Sequence, residues 1–74
     1  MQNLIPNSLT IELEQEEDGR WIGEILEIPG VLAYASNQQQ AISNVQALAL
    51  RVIADKLEHG EINLGLTSLT FIAA

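Results

Sequence analysis

Polar and apolar residues alternate from Ser8 to Glu14 in the stretch that ends at Gln15: Leu9, Ile11 and Leu13 point one way, Thr10, Glu12 and Glu14 the other. Period-two patterning of this kind predicts a half-buried strand. Glu16-Glu17-Asp18-Gly19 follows and ends in Asp-Gly, a pair that suits a tight hairpin. A second strand is predicted over residues 20–27, with Trp21, Gly23 and Ile25 on one face and Ile22, Glu24 and Leu26 on the other. Both faces carry apolar residues, so this strand is either central or covered on its outer face by a partner. Pro29-Gly30 breaks the run, and Val31 to Ala35 forms a third strand.

Beyond Ala35 the period changes. Ser36 stands three residues before Gln39, the spacing of a capping box, which predicts a helix beginning there. Ala41, Ile42, Val45, Leu48, Ala49, Val52, Ile53 and Leu57 recur at the spacing of an amphipathic stripe. Gly60 is expected to stop the helix, with Lys56 and His59 in the last turn complementing its dipole, so the helix spans residues 37–59. After a connector containing Gly65, residues 66–73 alternate again and read as a fourth strand. The expected fold is therefore α+β: a two-layer β-β-β-α-β unit, with a mainly antiparallel sheet and one long helix packed on one face. The other face has no second layer.

The chain has 74 residues, 47% of them hydrophobic and 18% charged, which is enough apolar material for one small domain, residues 1–74. It has no cysteine, so disulfides, zinc knuckles and thiol nucleophiles are excluded. No run approaches the roughly 18 apolar residues of a membrane span, and the first ten residues do not form a signal peptide. A cytoplasmic protein is expected.

Ten Asp and Glu against three Lys and Arg give a formal net charge of −7. That balance repels polyphosphate and anionic membranes, so neither nucleic acid nor membrane is an expected direct ligand. It would steer a basic protein surface toward this one, or it serves solubility alone. Glu12, Glu14, Glu24 and Glu27 come from neighbouring strands and could share an acidic face, and Trp21, near the hairpin end where it can cover the core, is the expected aromatic anchor. These five residues are the candidate partner-binding set.

Catalytic machinery is sparse. His59 is the one histidine and reads as a solvent-facing, dipole-stabilised residue. Serines 8, 36, 43 and 68 lack a triad or a nucleophile elbow. Glu16-Glu17-Asp18 lacks the spacing of a calcium loop and reads as a solvated turn. No catalytic residue, cofactor or metal site is expected.

Four short motifs occur in order: Asp18-Gly19-Arg20-Trp21, Glu27-Ile28-Pro29-Gly30, Ala33-Tyr34-Ala35-Ser36, and Gln39-Gln40-Ala41 leading to Asn44 and Ala47-Leu48. With the strands between them, the stretch from Leu9 to Gly60 resembles the N-terminal domain of HicB-family antitoxins. The resemblance implies a partial ribonuclease-H-like fold used as a protein-binding module. It also implies a partner, a small basic HicA-like toxin that cleaves messenger RNA and is neutralised when its active surface is covered.

The chain departs from the family pattern at Gln39-Gln40, where two glutamates are usual, and at Ala35, where a glycine is usual. The family's C-terminal DNA-binding segment is not expected after the last predicted strand, and the ribonuclease H metal carboxylates have no counterparts. Three readings stand: an antitoxin-type binding module, a self-associating structural or regulatory domain without a toxin partner, and an enzyme using carboxylates and a metal alone. A homo-oligomer fits the uncovered sheet face.

Overall fold

The computed structural model describes residues 7–61 and 68–73. Its elements run β1 (Ser8–Gln15), β2 (Trp21–Ile25), β3 (Leu32–Ala35), α1 (Gln38–Glu58) and β4 (Thr70–Ala73). The four strands form one sheet in the order β3-β2-β1-β4, and α1 packs against one side of it. The β1–β2 and β2–β3 pairs are antiparallel, while β4 runs parallel to β1. The α+β, two-layer expectation holds, and β2 is an interior strand. The connector containing Gly65 and residues 66 and 67 of the expected last strand lie outside the described residues.

The alternation of β1 is satisfied by the packing beneath it. Leu9 and Ile11 are completely or almost completely buried under α1, while Glu12 and Glu14 are exposed. The partners of these inward residues follow from the register: Ile25 and Ala73 flank Ile11, and Phe71 lies beside Leu9. From the helix, Ala41, Val45, Ala49 and Ile53 complete the core at four-residue intervals. Each large aliphatic side chain removed from water in this way contributes about 1.5–3 kcal/mol.

Gly23 sets how close the two layers come. A Cβ at that position would stand 3.2 Å from both the Ala41 carbonyl oxygen and Val45 Cγ1. The small residues Gly23 and Ala41 therefore let β2 and the first turns of α1 meet almost backbone to backbone.

Several boundaries differ from the sequence expectation: β4 begins at Thr70, with residues 68 and 69 outside the strand, and those of β2, β3 and the start of α1 have local reasons. β2 ends at Ile25 instead of residue 27, because Ile28 N donates to the Ile25 carbonyl at 3.3 Å and turns the chain. Ile28 and Val31 then fold inward and are 6% and 4% exposed, so Val31 belongs to the core under the turn while β3 starts at Leu32. The helix N-cap is Asn37, not Ser36. Asn37 has extended backbone, its Oδ1 accepts from Gln40 N at 2.8 Å, and its carbonyl accepts the first helical bond from Ala41 N at 3.0 Å. Adjacent Ser and Asn both suit the cap position, and the one whose side chain reaches the amide three residues on takes it.

The other end of α1 closes as expected at Gly60. Gly60 N donates to the Leu57 carbonyl at 3.2 Å and Glu61 N to the Lys56 carbonyl at 2.8 Å, with Gly60 at φ +67°. This pair of bonds is a Schellman stop, which needs a residue that tolerates the left-handed region.

Candidate functional site

Because α1 covers one side of the sheet, every outward residue of the four strands lies on a single second face. The register fixes its layout. Across the strands, Glu12 faces Glu24, and Glu24 faces Leu32; one step along, Glu14 faces Ile22, and Ile22 faces Tyr34. On the far side of β1, Thr10 pairs with Ile72. Glu12, Glu14 and Glu24 are thus adjacent, and apolar groups border them: Leu32 and Tyr34 on one side, Ile72 on the other. Leu26, Leu32, Tyr34 and Ile72 are 49%, 37%, 43% and 49% exposed.

Among the described residues no ion pair involves Glu12, Glu14 or Glu24. Like charges placed directly opposite on neighbouring strands destabilise a sheet by a few tenths to about 1 kcal/mol. The Glu12–Glu24 pair therefore carries a cost that no ion pair among the described residues offsets.

One cation does reach the edge of the face. Arg20 lies with its guanidinium carbon 4.7 Å from the centre of the Tyr34 ring, a cation–π contact. The same guanidinium is held by the hairpin: Arg20 Nε donates to Asp18 Oδ2 at 2.8 Å and Arg20 N to Asp18 Oδ1 at 3.0 Å. The backbone hydrogen bond from Arg20, followed by its side chain, holds the Asp18 carboxyl below its ordinary value of 3.8. In the Glu16-Glu17-Asp18 turn, Asp18 is thus committed to Arg20.

The remaining two sequence candidates are held differently. Trp21 pairs with Gln15 and Ala35, in phase with Gly23 and Ile25, so it is half-buried on the helix side of the sheet. Glu27 has left the ladder and folds back on β1, where Oε1 accepts from Thr10 N at 2.7 Å and Oε2 from Thr10 Oγ1 at 2.8 Å. Its carboxylate replaces the strand acceptor that β2 would have supplied had it continued. The Thr10 backbone bond is the main reason that the Glu27 carboxyl lies below its ordinary 4.5, against the opposing pull of burial. The structure accordingly brings Glu12, Glu14 and Glu24 together across the ladder, puts Trp21 on the opposite side of the sheet, and ties Glu27 to Thr10 at the end of the same outward face.

Leu32, Tyr34 and Ile72 are parts of the face that strand patterning does not reveal, since they reach it only through pairing with β2 and β1. The β3 side of the sheet is also partly closed. Asn44 Nδ2 donates to the Tyr34 carbonyl at 3.2 Å, filling an acceptor that an added strand would need.

The fold and face define a small two-layer α+β domain with an exposed sheet surface, acidic at its centre and apolar at its borders. No protein-family model, no curated protein and no solved structure matches the chain. Among the described residues no helix is long and apolar enough to cross a membrane.

Proposed function

We propose that this chain is a HicB-like, antitoxin-type binding module that works in the cytoplasm by covering a small basic protein, and not by catalysis. The observation that carries the reading is the uncovered sheet face, on which Glu12, Glu14 and Glu24 stand together without a counter-ion among the described residues. A partner's Lys or Arg placed there would relieve the Glu12–Glu24 repulsion, and the bordering Leu32, Tyr34 and Ile72 would supply apolar contact. Charge sets the approach and the register, and the apolar border adds affinity. The motif order from Leu9 to Gly60 supports a HicA-like, messenger-RNA-cleaving toxin as that partner.

Co-expression with a small basic protein encoded beside this gene tests the reading. The pair is expected to co-purify, and growth inhibition by the basic protein is expected to be relieved. A pair that separates on purification while toxicity persists rejects the proposal.

Self-association is the second reading, favoured by the 37–49% exposure of Leu26, Leu32, Tyr34 and Ile72 on one face. Stacking two copies through that face would bring both sets of glutamates together, on chains that each carry −7. Light scattering separates the two: a monomer at tens of micromolar that assembles only with the basic protein excludes the self-associating domain.

A further inference from the structure

The end of α1 gathers three metal-ligating side chains on the layer opposite the acidic sheet face. Asp55 and His59 are four residues apart and share one side of the helix. The Schellman stop then turns the chain back, and the Glu61 N to Lys56 carbonyl bond of 2.8 Å brings the Glu61 carboxylate alongside them. One ligand atom from each of Asp55, His59 and Glu61 lies within 4.8 Å of the others. His59 Nδ1 and Asp55 Oδ1 are already 3.3 Å apart. Two ligands bound at about 2.1 Å to one ion are separated by roughly 3–3.5 Å, so this pair has the needed bite.

We propose that Asp55, His59 and Glu61 form a surface site for a borderline divalent transition-metal ion such as zinc or nickel, with water filling the remaining coordination positions. An imidazole with two carboxylates suits these ions, whereas magnesium and calcium prefer oxygen donors alone. The carbonyl end of the helix adds negative partial charge at the same place. A cation already lies nearby: Lys56 Nζ is 3.7 Å from Glu61 Oε1, and the metal ion would displace it.

Two features limit the affinity. His59 Nδ1 lies 2.8 Å from the Asp55 carbonyl oxygen, and an ion taken by that nitrogen replaces this hydrogen bond. The side chains of His59, Asp55 and Glu61 are 64%, 65% and 51% exposed, which leaves them free to close on an ion but also largely hydrated beforehand.

The test titrates metal-free protein with zinc, and separately with magnesium, by calorimetry and by NMR of the His59 ring and backbone amides. Zinc should bind one per chain and perturb the resonances of residues 55–61, while magnesium at equal concentration should not. His59→Ala should weaken zinc binding by about tenfold or more, and Asp55→Asn and Glu61→Gln each by several-fold. All three positions are exposed, so folding of these variants, checked by circular dichroism, should be unchanged. The proposal is overturned if zinc does not saturate in the low millimolar range or if its effects centre on Glu12 and Glu24. It is overturned equally if His59→Ala matters while Asp55→Asn and Glu61→Gln do not.

Discussion

Glu12 and Glu24 face each other across the β1–β2 ladder, with Glu14 beside Glu12 and no cation paired to any of them among the described residues. Their arrangement opposes the stability of the isolated domain and suits a basic surface. Glu12→Gln and Glu24→Gln should each raise the unfolding free energy by about 0.2–1 kcal/mol, measured by urea titration. The same changes should weaken binding of a basic partner and flatten its dependence on salt, measured by calorimetry at two ionic strengths. Unaltered binding with raised stability would place the partner elsewhere.

Gly23 permits the contact between β2 and the start of α1. Gly23→Ala would put a methyl group 3.2 Å from both the Ala41 carbonyl oxygen and Val45 Cγ1, and the helix backbone on the first side has little room to yield. The variant should lose about 1–3 kcal/mol of stability, read as a lower urea midpoint.

Asn37 and Ser36 are adjacent, and only Asn37 holds the N-terminus of the helix, through its 2.8 Å bond from Gln40 N. Asn37→Ala should cost about 1 kcal/mol, whereas Ser36→Ala should change stability by less than about 0.5 kcal/mol. Thermal melts of the two variants side by side decide the cap.

Glu27 clamps Thr10 and has a carboxyl held below its ordinary 4.5. A group with a lowered folded-state value contributes stability that is present above its unfolded value and is lost as the pH falls through the folded one. Relative to wild type, Glu27→Gln should therefore be less stable at neutral pH, with the difference shrinking below pH 4.5. Denaturant midpoints of both proteins across that range measure it.

Local patterning made the elements legible, together with part of the candidate face. Alternation over Ser8–Gln15 set which side of β1 is buried, and the recurrence of Ala41, Val45, Ala49 and Ile53 set which side of α1 meets the sheet. These properties are local because side-chain direction follows from the backbone period alone. Placing Glu12 and Glu14 outward needed nothing more, whereas β2 is apolar on both faces and Glu24 was placed only by its pairing.

Tertiary structure decided everything that depends on which strand lies beside which. Pairing between residues far apart in the chain put Glu24 opposite Glu12, carried Leu32, Tyr34 and Ile72 onto the same face, and set β4 parallel to β1. It also turned Glu27 onto Thr10. A strand's own period cannot encode its register, because that is selected by the fit of Gly23 under Val45 and by the burial of Ile25 against Ile11. The sequence by itself determined the elements and their buried sides; the packing of α1 on the sheet determined what the exposed side can bind.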